Sequence, residues 1–211
     1  MRRRGLLLIV SGPAGSGKTT LAEKLIAAEP DIVRSVTATT RAPRDGEVDG
    51  TDYHFLSRVE FESRLAAGHF IEYTEFNHNL YGSLREEVER LLDADKVVVL
   101  VIEVEGAANV RALYPHSVHV FVLPPTPADL RDRLAGRGTE SEESMRHRLS
   151  IAEGEVEELE RYDYLVINDE LDAAAEDLRT IARVARAHHV RGGEVDAWRG
   201  DRYAGWHPSS A

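Results

Sequence analysis

Short runs of consecutive apolar residues alternate along this chain with longer stretches in which apolar positions recur every three or four residues. The longest uninterrupted runs, Leu6 to Val10 and Val97 to Ile102, span five and six residues; bounded by turn residues, runs of this length read as buried strands. The first is followed by a glycine-rich turn and a helix over Thr19 to Ala28. Val33 to Thr37 is a short β-like run, and residues 39 to 52, polar and carrying Pro43, Gly46 and Gly50, form a loop. Tyr53 to Leu56 and Phe70 to Phe76 read as strands flanking a helix at Val59 to Ala67. A helix over Leu84 to Leu92 leads into Val97 to Ile102. There follow a helix at Ala107 to Leu113, a strand at Val118 to Leu123, a helix opened by Pro127, a charged break at 136 to 143 and a helix from Ser144 to Tyr162. A strand at Tyr164 to Ile167 and a helix from Leu171 to His189 complete the core. The alternation predicts an α/β fold with a mainly parallel sheet. Gly192 to Ala211 loses the periodicity and reads as an appended, partly ordered tail.

Composition narrows the class. The 211 residues, 42% hydrophobic and 30% charged, suit one soluble globular domain. No apolar run approaches the roughly 20 residues of a bilayer span. The basic start Arg2 to Arg4 precedes only five apolar residues, so no secretory signal is expected. The absence of cysteine excludes a disulfide scaffold, a thiolate metal site and cysteine catalysis, and the nine histidines show no zinc-binding spacing. A net charge of −11 argues against broad nucleic-acid binding. A cytoplasmic protein with neither a nucleic-acid nor a membrane partner is expected. The acidic run Glu153, Glu155, Glu157, Glu158 and Glu160 reads as a solvated helix face.

One segment between a strand and a helix carries chemistry. Gly12-Pro13-Ala14-Gly15-Ser16-Gly17-Lys18-Thr19 fits G-x-x-x-x-G-K-[ST], which this composition would produce by chance with a probability of roughly 0.2%. Its glycines let backbone N–H groups converge on phosphate oxygens. Lys18 supplies a mobile point charge, and the hydroxyl of Thr19 can ligate magnesium at the positive end of the following helix, where Thr20 continues the cradle. A nucleoside triphosphate site is the reading; the loop alone does not separate kinase from ATPase or GTPase.

Arg41 and Arg44 lie three apart on a loop that Pro43 keeps out of helical conformation. Two such forks can grip a phosphate, with tyrosine hydroxyls as further donors; by themselves they could equally be a solvated charged loop. From Thr39 to Phe55, and through Phe70-Ile71-Glu72-Tyr73, Asn79-Leu80-Tyr81-Gly82-Ser83, Glu103-Val104-Glu105-Gly106-Ala107, Gly136 to Ser144, Arg148-Leu149 and Val166 to Leu171, the sequence resembles guanylate kinases, with the blocks in the family's order.

The resemblance implies a nucleoside-monophosphate-kinase fold in a single domain, residues 1–189, with a tail at 190–211. The core would comprise 1–35, 84–129 and 153–189, the GMP-binding region 36–83 and the lid 130–152. It implies Mg2+-dependent transfer from ATP to GMP, giving ADP and GDP, with the choice between GMP and dGMP and between monomer and homodimer left open. Carried over by motif, Arg41, Arg44, Tyr53 and Tyr81 hold the GMP phosphate, while Thr37, Glu72 and Ser83 face the guanine. Lys18, Arg137 and Arg148 act in catalysis, and Thr19 and Glu103 lie near magnesium, partly through water. Thr37 stands where serine is frequent, Glu103 where aspartate is common, and Val101 where an acidic residue often occurs. Arg133 has two readings, a closing lid arginine or a surface partner of Asp129, Asp132 or Glu140. Asn168 and Asp169 either approach the adenine or merely start the last helix. A peptide-binding module of the same fold is the rival from another class, but such modules typically carry a degraded phosphate loop. A kinase for another phosphorylated acceptor would leave the joint presence of the arginines, tyrosines and Glu72 unexplained.

Overall fold

The computed structural model describes residues 5–76, 78–135 and 142–202. In chain order the first elements are β1 (Leu6–Ser11), α1 (Lys18–Ala28), β2 (Ile32–Arg34), β3 (Thr37–Thr39), β4 (His54–Phe55) and α2 (Arg58–Ala66). There follow β5 (Phe70–Phe76), β6 (Asn79–Leu84), α3 (Arg85–Asp93), β7 (Val97–Val101), α4 (Val104–Leu113) and β8 (Val118–Leu123). The chain continues through α5 (Pro127–Ala135), α6 (Glu142–Glu157), a 3-10 turn at Glu158–Arg161, β9 (Tyr164–Ile167) and α7 (Leu171–Arg202).

Five strands form a parallel sheet in the order β2-β7-β1-β8-β9. Every residue of β1 is buried because helices cover both faces, which is why its sequence is continuously apolar instead of alternating. Leu6, Leu8 and Val10 pack with Leu21, Leu25, Ala174, Leu178 and Ala182 of α1 and α7. Leu7 and Ile9 face the other way, onto Val88 of α3 and Ala107 and Val110 of α4. The strands therefore end along one edge, where the loops following β1, β7 and β9 meet.

A second sheet has the order β4-β3-β6-β5, with β6 antiparallel to both neighbours. Its apolar side is held by Ala38, Leu80 and the stacked rings of Phe61 and Phe70, whose centroids are 4.3 Å apart. Four expectations change here. The run Val33 to Thr37 is not one strand: β2 belongs to the parallel sheet and β3 to the second, with Val36 between them donating its N–H to Glu87 Oε1 at 3.3 Å. Asn79 to Leu84, a stretch given no element from the sequence, is the strand β6, its apolar alternation interrupted by Gly82. The long helix expected over Ser144 to Tyr162 tightens into a 3-10 turn after Glu157. The last helix runs to Arg202 instead of ending near His189; the rest of the expected tail lies outside the described residues.

Candidate active site

β1 stops at Ser11 and α1 starts at Lys18, so the phosphate-loop motif fills the gap between them. Gly12, Pro13 and Ser16 are buried, Gly15 and Gly17 half-buried, and Ala14, Thr19 and Thr20 exposed. Gly17 caps α1 with φ 94°, a left-handed conformation, and a Cβ there would lie 2.1 Å from Asn168 Nδ2. Only glycine meets both demands. Buried Asn168, just past β9, donates from Nδ2 to the Ser16 carbonyl at 2.8 Å, and Arg133 of α5 donates to the Asn168 carbonyl at 2.9 Å. The loop is thus braced from the far end of the chain. Lys18, only 8% exposed, donates Nζ to the carbonyls of Gly12 and Pro13 and lies 3.8 Å from Glu103 Oε2.

The second sheet carries another group of expected site residues. Along β6, Ser83 is opposite both Thr37 of β3 and Glu72 of β5, and Tyr81 is opposite Thr39 and Thr74. Period-two alternation places Ser83 and Tyr81 on the same face. A bulge between Phe70 and Glu72 shifts the register by one residue. Its consequence is a division of labour of the kind bulges make possible: Ile71 enters the core beside Leu7 and Ile9, while Glu72 joins Ser83. Ser83 Oγ donates to Glu72 Oε1 at 2.6 Å, and both residues are buried. Burial pushes the Glu72 carboxyl above its usual value; the Ser83 hydrogen bonds oppose the rise and the nearby Glu103 charge adds to it.

Beside this row stands the arginine loop. The Arg41 guanidinium carbon lies 5.3 Å from the Tyr53 ring centroid and 5.8 Å from that of Phe55, and Tyr53 packs edge-on to Tyr81 at 6.2 Å. Arg41 NH2 donates to both oxygens of Glu47, at 2.8 and 3.0 Å. The hydrogen bond to Arg41, with the Arg44 backbone N–H after it, holds the Glu47 carboxyl below its ordinary range. The Arg44 side chain is exposed and makes no hydrogen bond among the described residues.

The two groups meet at the junction of β7 and α4. Glu103, at the helix cap, faces Lys18 on one side. Gly106, in the first turn of α4, faces Glu72 on the other: a Cβ there would stand 3.0 Å from Glu72 Oε2. Glu155 of α6 also reaches this junction, which corrects its reading as part of a solvated face. Burial and then the Glu103 carboxylate push its carboxyl up to about 7, against the pull of Lys18. The signal was available in the sequence, since Leu149, Ala152 and Glu155 recur every three residues and Leu149 and Ala152 pack on α5. Arg148 is half-buried on α6; Arg137 lies outside the described residues. Glu47, Gly106 and Glu155 had no assigned site role in the sequence reading.

A family model described as guanylate kinase matches residues 4–185. The guanylate kinase of Halalkalibacterium halodurans is 43% identical over 190 residues, which cover 90% of this chain and 93% of that protein. The guanylate kinase of Thiobacillus denitrificans is 46% identical over 187 residues, 89% of this chain and 90% of its own. The crystal structure of guanylate kinase from Anaplasma phagocytophilum aligns with a TM-score of 0.73 at 31% identity, covering 96% of this chain and 97% of that one.

Proposed function

The chain belongs to the guanylate kinase family, and we propose that it transfers the γ-phosphoryl group of ATP to GMP through the residues gathered around the β7–α4 junction. The observation that carries the residue assignment is the buried Ser83–Glu72 pair, joined through Gly106 and Glu103 to Lys18 of the phosphate loop. Guanine presents two adjacent N–H donors, at N1 and the exocyclic amine, and a carboxylate accepts only. Glu72 takes those donors, with Ser83 and Thr37 as hydroxyl partners. Adenine would set its N1 acceptor against the carboxylate.

Lys18, loop N–H groups and the first turn of α1 hold the triphosphate over Gly12 to Thr20. Lys18 now spends its donors on two loop carbonyls, and phosphate oxygens offer it stronger, charged acceptors. Arg41, Arg44, Tyr53 and Tyr81 hold the acceptor phosphate so that one of its oxygens lies in line with the γ-phosphorus. That oxygen forms the new P–O bond as the bond to the ADP oxygen breaks. Phosphoryl transfer asks the protein mainly for alignment and positive charge. Arg137 and Arg148 supply charge from the lid region, 130–152, whose closure excludes water.

Thr19 and Glu103 offer only oxygen donors, which suits a hard cation. Among the described residues no group of three or more acidic or histidine side chains is arranged to hold a metal, so Mg2+ would take most of its ligands from phosphates and water. When bound, Mg2+ neutralises charge on the β- and γ-oxygens. We assign residues 1–35, 84–129 and 153–189 to the core and 36–83 to acceptor binding. ATP and GMP as substrates favour a cytoplasmic location, and no described helix is long and apolar enough to cross a membrane.

A coupled assay of ADP release across a panel of nucleoside monophosphates tests the reading. Turnover with GMP far above that with AMP, CMP and UMP is expected. No turnover with any monophosphate would overturn it.

A further inference from the structure

We infer that Glu47 is a positioning residue for the acceptor-phosphate clamp, holding the Arg41 guanidinium and the Arg44 backbone in their binding arrangement before GMP arrives. The inference rests on the reading of Arg41 and Arg44 as that clamp.

The carboxylate makes two kinds of contact at once. Both its oxygens accept from Arg41 NH2, at 2.8 and 3.0 Å, and Oε2 also accepts the Arg44 backbone N–H at 2.7 Å. The chain closes the same turn in the other direction, with the Glu47 N–H donating to the Arg44 carbonyl at 3.1 Å. Residues 44 and 47 are therefore tied reciprocally, and the tie extends to the side chain at 41. The Glu47 side chain is only 19% exposed and that of Arg41 only 15%, although residues 42–46 between them are exposed. A shielded, charge-assisted contact on an otherwise solvated loop fixes a long side chain that would otherwise lose much rotamer freedom on binding.

The geometry separates positioning from competition. A carboxylate that merely occupied the phosphate site would engage the donors of both arginines. Glu47 instead takes Arg41 through NH2 alone and Arg44 by a hydrogen bond from the backbone, the Arg44 guanidinium acting on it only through its charge. Arg41 NH1 donates to the Ala42 carbonyl at 2.7 Å, and the guanidinium rests near the Tyr53 and Phe55 rings. Glu47 thus fixes one end of the fork, and its hydrogen bond is the main cause that raises the Arg41 pKa, with Tyr81 a smaller contributor.

The experiment compares Glu47→Gln, Glu47→Asp, Arg41→Ala and the double variant Glu47→Gln/Arg41→Ala. Glu47→Gln should raise the KM for GMP about tenfold, the scale of a lost charge-assisted hydrogen bond. It should change kcat less than about threefold and leave ATP affinity without GMP and the melting temperature unchanged. Glu47→Asp, too short to keep both contacts, should fall between wild type and Glu47→Gln. In the Arg41→Ala background Glu47→Gln should add little, because the group it positions is gone. A GMP KM that stays the same or falls in Glu47→Gln overturns the inference; a fall identifies Glu47 as a competitor of the phosphate. Full additivity in the double variant also overturns it. If Arg41→Ala itself leaves the GMP KM unchanged, the clamp reading fails instead, so the two failures are distinguishable.

Discussion

Ser83 and Glu72 face each other across β6 and β5 with Oγ donating to Oε1 at 2.6 Å, in a place where both side chains are withdrawn from water. A buried carboxylate with so little compensation costs stability when charged. The folded pKa of Glu72 lies above its unfolded value near 4.5, because desolvation dominates. The folded state then binds the extra proton, so stability declines as pH rises from about 4.5 through the folded pKa.

Glu72→Gln should accordingly keep or raise the melting temperature at pH 7.5 while losing guanine selection. A mismatched buried polar group costs on the order of 1–3 kcal/mol, about 10- to 100-fold in discrimination. The variant should lose GMP efficiency and narrow the GMP-to-AMP ratio of kcat/KM, with ATP affinity preserved. An unchanged ratio removes Glu72 from the base site.

Gly106→Ala tests the same carboxylate from the other side. Its Cβ would stand 3.0 Å from Glu72 Oε2 and 3.7 Å from the Glu72 Cβ and Cδ. Exchanging glycine for alanine in a helix contributes up to about 1 kcal/mol, which offsets the crowding. We expect a melting temperature within about 2 °C of wild type and a several-fold rise in the KM for GMP. Unimpaired GMP binding would show that Glu72 can move without loss of function.

The parallel sheet was legible because buried strands advertise themselves: β7 and β8 match their apolar runs to within a residue. The second sheet was harder. β2 and β3 lie so close in sequence that the two strands read as one run, and only their assignment to different sheets separates them. β6 carries Tyr81, Gly82 and Ser83, two hydroxyl residues around a glycine, so it lacks the alternation a strand usually shows. The described residues that the motifs singled out lie in two groups, around the phosphate loop and along the second sheet, whereas the contacts of Gly106 and Asn168 could not be read from their motifs. Gly106 matters for the space it leaves and Asn168 for a carbonyl it reaches 152 residues away in the chain.

That long-range support gives a third prediction. Asn168→Ala removes the 2.8 Å bond to the Ser16 carbonyl and leaves a void against Gly17. A buried acceptor left unpaired costs on the order of 1–3 kcal/mol, shared here between the fold and the cradle. Calorimetric titration should show ATP affinity weakened about five- to tenfold, with GMP affinity in the absence of ATP unchanged. Equal weakening of both would mean that Asn168 supports the whole domain instead of the phosphate loop.

The last prediction concerns acid stability and a residue outside the site. His119 of β8 is 2% exposed. Ser117 Oγ donates its single proton to the Tyr114 carbonyl at 2.6 Å, so at 2.8 Å it accepts from His119 Nε2, which fixes the neutral tautomer with the proton on Nε2. Burial, and after it the Arg111 charge, lower the His119 pKa from 6.5 to about 4, although Asp163 pulls the other way. A depressed folded pKa contributes stability that is complete above the unfolded pKa and is lost as pH falls through the folded one. At about 1.4 kcal/mol per pH unit, wild type should lose up to roughly 3 kcal/mol between pH 6.5 and 4 through this group. His119→Gln can still donate to Ser117 but cannot take a proton. Urea unfolding at pH 7 and pH 4.5 should therefore show a smaller loss in the variant than in wild type, even if the variant is less stable at pH 7. Parallel losses in the two proteins would mean that acid sensitivity arises elsewhere and that His119 is charged at little cost.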